Sequence, residues 1–160
     1  MIAKFAAVGS NVKVTATGSA HNAAGFLKKN DSETISILKH LEDKIQAHKE
    51  ELVCVSEDSD RSPDTLIISF GITARTVKEA VKMARLAGKK VSFLTIHSLF
   101  PIPENKIVER AAQVKRVIVA EENLNGQYRK LIQHLLNGKG EGVNKIGSMI
   151  TPAEIIERIL

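Results

Sequence analysis

The chain has a single cysteine, Cys54, no tryptophan, one tyrosine and four prolines among 160 residues. One thiol excludes an internal disulfide, and it excludes a four-thiolate zinc or iron–sulfur site built by one copy of the chain. With aromatic residues at only 4%, the core has to be filled by Ile, Leu, Val and Ala. No apolar run approaches the ~18 residues that a membrane-spanning helix needs. Residues 1–8 are too short, and too interrupted by Lys4, for a signal peptide. The chain therefore reads as soluble and cytoplasmic, without a membrane partner.

What is present fits one ordinary globular domain, with 43% hydrophobic and 26% charged residues. The net charge of +5 is unevenly placed: residues 1–60 carry seven lysines against nine acids, whereas residues 61–160 carry sixteen Lys and Arg against nine acids. A nucleic-acid surface would interleave cations with stacking aromatics, and the basic part offers only Phe70, Phe93, Phe100 and Tyr128. Nucleic acid is therefore not an expected partner. A solvated surface or an acidic protein partner fits better.

Two regions differ in pattern. Residues 1–62 read as a linking segment with a short strand at 12–17, a loop rich in Gly, Ala, Asn and Lys, and a helix. That helix starts at the N-cap oxygens of Asp31 and Ser32 and is expected to run to about Leu52, with Leu38, Leu41, Ile45, His48 and Leu52 on one stripe. An apolar stripe of this kind points to burial against a partner, and so to an oligomer. Residues 63–160 alternate strands with helices. Strands are expected at 65–70, 91–96, 116–120 and 143–147, separated by helices from Thr73, from Pro103 and from Gly126, with a last helix opened by Thr151-Pro152. This order predicts an α/β fold: a three-layer αβα arrangement on a mostly parallel sheet.

In such sheets functional residues gather at the carboxyl ends of the strands, beside the switch in strand order. The candidates are Gly71, Thr73 and Arg75 after the first strand of the domain, and Glu121, Asn123, Gly126 and Gln127 after the third. Glu121 is expected to accept backbone N–H groups at the start of the Thr73 helix, where negative charge is favoured. A ligand-binding or catalytic role for it is the competing reading. Cys54, in Leu52-Val53-Cys54-Val55, reads as a small buried hydrophobe, and the run Gly138-Lys139-Gly140-Glu141-Gly142 as a turn, because it follows a helix and precedes a strand. Histidines 21, 40, 48, 97 and 134 show no metal-ligand spacing, and His97 reads as a hydrogen-bonded rim residue. Arg75 is a candidate for an anion or for an interface salt bridge.

Three segments then carry a resemblance: Leu66-Ile67-Ile68-Ser69-Phe70-Gly71-Ile72-Thr73-Ala74-Arg75, Leu94-Thr95-Ile96-His97-Ser98-Leu99-Phe100-Pro101-Ile102-Pro103, and Val119-Ala120-Glu121-Glu122-Asn123-Leu124-Asn125-Gly126-Gln127. Their order and spacing resemble the transketolase C-terminal-like domain that closes the alpha subunit of 2-oxoacid:ferredoxin oxidoreductases, the E-x-N-x-x-G-Q element being the most specific. Upstream, Thr17-Gly18-Ser19-Ala20-His21-Asn22-Ala23-Ala24-Gly25 is similar to that family's T-G-x-E-H-D-x-x-G linker loop, with Ala20 and Asn22 where the pattern has acids and His21 retained. The resemblance implies a sheet of about five strands with one antiparallel edge strand, supplied by residues 12–17 or 53–55. It implies a complex that oxidatively decarboxylates a 2-oxoacid to an acyl-CoA, with thiamine diphosphate, iron–sulfur clusters and ferredoxin as acceptor. The chain has no G-D-G…N diphosphate signature, so no cofactor is assigned to it, and it reads as the detached tail of an alpha subunit. Its implied role is architectural, beside beta and in some complexes gamma and delta subunits, with no catalytic residue carried over. The other reading is a free-standing small-ligand or nucleotide-binding module that uses the same crevice.

Overall fold

The computed structural model describes residues 6–7, 9–12, 18–58 and 62–160. The strand expected at 12–17 lies, but for Val12, outside the described residues. The chain divides into two units, Met1–His48 and Lys49–Leu160. In the first, His21 and Leu27 form an antiparallel bridge, and the N–H of Phe26 donates to Asn22 Oδ1 at 3.0 Å. Helix α1 (Ser32–Ala47) is N-capped by Asp31, whose carboxylate accepts the Thr34 N–H at 3.1 Å and its hydroxyl at 3.0 Å. Those bonds hold the Asp31 carboxyl below its usual range. Ile35, Leu38 and Leu41 on this helix are exposed.

The helix does not continue to Leu52. It ends at Ala47, and α2 (Lys49–Leu52) is a separate short turn. Lys49 is ion-paired with Glu104 at 3.1 Å, and Glu50 accepts from Asn105 at 3.4 Å. These tertiary ties fix residues 49 and 50 against the segment around Glu104, and the heptad-like spacing encodes neither.

The second unit is built on one sheet. Its strands are β1 (Val55–Asp58), β2 (Thr65–Phe70), β3 (Val91–Ile96), β4 (Arg116–Glu121) and β5 (Gly140–Asn144), in the order β1-β3-β2-β4-β5. β3, β2, β4 and β5 are parallel, while β1 runs antiparallel to β3 with Val55 opposite Ile96. The mixed sheet with one antiparallel edge is the architecture the family resemblance implies, and the edge strand is the segment that follows Val53. β2 lies between β3 and β4 because α3 carries the chain from β2 to β3 over one face and α4 carries it from β3 back past β2 to β4 over the other.

Helices α3 (Thr73–Leu86), α4 (Glu104–Ala112), α5 (Gln127–Ile132, continued by one 3-10 turn) and α6 (Pro152–Ile159) cover the two faces. Alternation along the strands sorts the core. Leu66, Ile68, Leu94, Ile96, Val117 and Val119 pack under α4 and α5, whereas Ile67, Val91 and Ile118 pack under α3 and α6. β2 and β4 are buried on both faces, which is why their sequences read as continuous apolar runs instead of alternating.

Three local expectations need correction. Cys54 is exposed, because it precedes an edge strand whose outer side is open; its backbone makes the bonds there, accepting His97 N–H at 2.9 Å and donating to Ser98 Oγ at 2.8 Å. The glycine-rich run is a turn only as far as Lys139, for Gly140 and Gly142 lie inside β5 and the strand begins three residues before the expected 143. A Cβ at Gly140 would sit 2.6 Å from Leu136 Cδ1, and one at Gly142 would sit 2.8 Å from Arg129 Nε. The glycines are there for close packing of α5 and the 3-10 turn on the edge strand, a reason invisible in the local sequence. The third correction concerns Glu121 and belongs to the crevice.

Candidate functional site

The carboxyl ends of β2 and β4 open into a crevice of ≈ 500 Å³. Gly71 makes the turn out of β2 with φ 58, so that α3 starts at once at the strand end. No side chain caps that helix, and Thr73 is buried in its first turn. Opposite, β4 ends in Glu121, fully buried although it is an acid.

Glu121 does not face the α3 helix, as the sequence predicts, but the start of α5. Its Oε2 accepts the N–H of Tyr128 at 2.8 Å and its Oε1 accepts the N–H of Arg129 at 2.9 Å. Asn123 donates its side-chain amide to Glu121 Oε2 and accepts the Gln127 N–H at 3.0 Å through Oδ1. Two side chains thus satisfy the first three N–H groups of α5, and the buried charge is met by the positive end of the helix. Gly126 stands at the N-cap with φ 63 and ψ 53, the left-handed geometry that lets the loop double back within five residues of Glu121. The E-x-N-x-x-G-Q spacing is therefore a folded device: acid, amide, left-handed turn, helix. The sequence placed the acid at a helix N-terminus correctly and chose the wrong helix. The nearer one competes better because its loop is only five residues long.

Around this device the lining is mostly apolar. Phe70 and Tyr128 pack edge to face, ring centres 5.2 Å apart, with Ile72, Leu99 and Leu131 beside them. The Tyr128 hydroxyl is buried without a hydrogen-bond partner, and burial, with the nearby Glu121 charge, pushes its pKa up to about 12. Glu122 turns the other way and accepts the N–H of Ile150 at 3.2 Å, tying the loop to the segment before α6.

Of the residues singled out in the sequence, Gly71, Thr73, Glu121, Asn123 and Gln127 line the crevice. Gly126 stands just behind them, against Arg129 and Asn144. Arg75 is exposed one turn along α3 and outside the lining, and His21 lies in the first unit. His97 is exposed on the rim, its Nε2 2.9 Å from Ser56 Oγ. Sequence patterning passes over Tyr128, Leu99 and Leu131. Tyr128 and Ile132 stand four apart on the buried side of α5, a spacing that could have flagged the tyrosine, but a six-residue helix is too short for periodicity to stand out.

Comparison with known proteins agrees with this geometry. Residues 63–155 match the family model of the pyruvate:ferredoxin oxidoreductase core domain II. The 2-oxoglutarate synthase subunit KorA of Methanothermobacter marburgensis is 34% identical over 158 residues, which is 96% of this chain and 42% of that protein. The ketoisovalerate oxidoreductase subunit VorB of the same organism is 30% identical over 122 residues, 75% of this chain and 34% of that one. A solved structure of 2-oxoglutarate:ferredoxin oxidoreductase from Magnetococcus marinus, with 2-oxoglutarate, coenzyme A and succinyl-CoA bound, superposes with a TM-score of 0.72 at 26% identity, over 96% of this chain and 27% of that chain. The chain thus spans less than half the length of these relatives. With more than half of its residues inside the family model and the sheet, the crossover order and the E-x-N-x-x-G-Q loop all in place, the chain belongs to the pyruvate:ferredoxin oxidoreductase core domain II family, as a domain of a 2-oxoacid:ferredoxin oxidoreductase alpha subunit.

Proposed function

We propose that this domain is a structural and assembly element of its oxidoreductase and not the seat of the chemistry. The observation that carries the reading is the commitment of Glu121: its two oxygens take two backbone N–H groups and a side-chain amide at the start of α5. A general acid or base has to face the proton it moves, and this carboxylate faces the fold. On this reading residues 63–160 form the domain, β1 of the preceding segment completes its sheet as the edge strand, the rest of residues 1–62 link it to the rest of the subunit, and Gly71, Thr73, Arg75, Glu121, Asn123, Gly126 and Gln127 organise the crevice and an interface.

The whole complex would oxidatively decarboxylate a 2-oxoacid to an acyl-CoA in the cytoplasm, using thiamine diphosphate and iron–sulfur clusters, with ferredoxin as acceptor. The residues of this chain do not fit those groups. Its one thiol is exposed, and among the described residues no three His, Cys, Asp or Glu side chains converge to hold a metal ion. Nor, among them, is any helix long and apolar enough to cross a membrane. On this reading the cofactors would be held by the other domains and the beta subunit, with gamma and delta subunits where the complex has them.

Native mass spectrometry of complexes captured from source cells through this chain tests the proposal. Co-capture of a thiamine- and iron–sulfur-containing partner is the expected result; recovery of the chain alone, or only with copies of itself, overturns it. The second reading, a small-ligand or nucleotide-binding module, is favoured by one feature, the largely apolar crevice at the strand ends. A thermal-shift panel of nucleotides, coenzyme A and 2-oxoacids separates the two, because a specific ligand raises the midpoint by mass action and an architectural crevice leaves it flat.

A further inference from the structure

The positive charge of this protein is concentrated on α3 and the turn that follows it. Residues 73–90 carry six cations, Arg75, Lys78, Lys82, Arg85, Lys89 and Lys90, against the single acid Glu79. Their excess of five equals the net charge of the whole chain. Within α3 the first four are spaced 3, 4 and 3 apart, so they share one face, flanking the face that buries Ala74, Val77, Val81 and Ala84.

Six cations of the same domain outside this stretch are ion-paired. Lys106, Arg110, Lys115, Arg116, Lys145 and Arg158 each have an acidic partner within 3.3 Å. On the α3 face only Arg85 does, with Asp58 at 2.7 Å, while Lys78 lies over the Phe93 ring at 5.4 Å and Arg75, Lys82 and Lys89 stand exposed without an ion pair among the described residues. Like charges three and four residues apart weaken a helix. Arg85 and Lys78 find partners within the fold, but Arg75, Lys82 and Lys89 gain no ion pair among the described residues, and a negatively charged partner would supply one.

The same surface has an apolar element. Leu86 is 83% exposed at the end of α3, with exposed Met83 nearby, and Leu86 shares a cleft of ≈ 460 Å³ with Asp58, Lys78, Val81, Lys82 and Arg85. Exposed aliphatic side chains within a charged surround match the core and rim of a protein interface, and a polynucleotide backbone has no use for them. We infer that the outer face of α3 is a docking surface for an acidic protein face that places Asp and Glu side chains on Arg75, Lys78, Lys82 and Lys89 and seats an apolar side chain on Leu86.

Lysine footprinting tests this on the native assembly isolated from its source, with the purified chain as reference and sulfo-NHS-acetate as probe. Acetylation of Lys78, Lys82 and Lys89 is expected to fall at least fivefold in the assembly, while Lys115, whose side chain is 83% exposed, labels as before. Zero-length carbodiimide coupling should join at least one of the three to an Asp or Glu of another polypeptide. Equal labelling in both samples overturns the inference, as does protection removed by nuclease or cross-links only to a second copy of this chain. A K78E/K82E variant should keep the thermal midpoint of the parent and lose at least tenfold in recovery of the cross-linked species, with the parent's recovery falling as salt rises. The readout is lysine accessibility, so it stands apart from whether the captured complex contains thiamine.

Discussion

The carboxylate of Glu121 and the backbone N–H of Tyr128, seven residues apart, meet at 2.8 Å in a position closed to solvent. That bond, with its neighbour to Arg129, joins the end of β4 to the start of α5 and makes a buried charge serve as a helix cap. Replacing the acid should therefore damage the fold before it damages any chemistry. E121A strands two N–H groups and leaves a void, for an expected loss of about 3 kcal/mol, and E121Q, which keeps one acceptor oxygen, should lose about half as much. Urea midpoints at unchanged m-value check both, and an E121A loss under about 0.5 kcal/mol would remove the capping account.

Gly126 invites a paired comparison with Gly138. Both have positive φ, 63 and 75, but a Cβ at Gly126 would lie 3.2 Å from Arg129 Nη2 and from Asn144 Oδ1, whereas at Gly138 nothing lies within 4 Å. G138A should show the backbone strain alone, about 1 kcal/mol, and G126A that strain plus crowding, about 2 kcal/mol. Equal losses in chemical denaturation would mean that Arg129 and Asn144 give way freely.

Tyr128 is the only tyrosine and no tryptophan overlaps it, so its ionisation can be followed directly in the ultraviolet. The phenolate signal should appear near pH 12 in the folded protein instead of near 10. The sign follows from the direction. A folded pKa raised above the unfolded one gives stability that is complete below pH 10 and declines as pH climbs from 10 through 12, on the order of 2–3 kcal/mol in total. Y128F should abolish that part of the alkaline loss, and because the hydroxyl has no partner, it should be neutral or stabilising by up to about 1 kcal/mol at pH 7. A marked loss at pH 7 would reveal a bond that the hydroxyl makes.

At the other end of the domain, Thr151 and Glu154 form a capping box on α6, and Glu154 also pairs with Lys145 at 2.8 Å. The Lys145 bond, with those from Thr151, draws the Glu154 pKa down to about 2. A depressed folded pKa gives stability that is present above the ordinary carboxyl range and is lost as pH falls through about 2. Carboxyl chemical shifts should place the Glu154 titration well below the ordinary carboxyl range. T151A should cost about 1 kcal/mol and move the Glu154 titration upward, and an unmoved titration would assign the shift to Lys145 alone.

Strands β2 and β3 were legible to the residue because continuous runs of Ile, Leu, Val and Phe bounded by glycine or charge leave few alternatives in a chain this poor in aromatics. The last helix was equally plain from Thr151-Pro152. What the sequence hid was long-range. Cys54 lies in an apolar run and is nevertheless exposed, since being on an edge is a property of the sheet and not of the run. Gly140 and Gly142 read as punctuation, and the reason for them is the arrival of Leu136 and Arg129 from another element. The crevice was half visible: its acid, amide and glycine stand in one stretch, but its apolar wall collects Phe70, Leu99, and Tyr128 with Leu131 from three places.

The edge strand β1 has a consequence for how the protein assembles. It is four residues long, and its two acids are pinned from opposite faces, Glu57 by Arg110 of α4 at 3.2 Å and Asp58 by Arg85 of α3 at 2.7 Å. A strand added alongside would have to align with a short, twisting, charged border whose side chains are already tethered above and below. β-Augmentation is thereby discouraged along this margin.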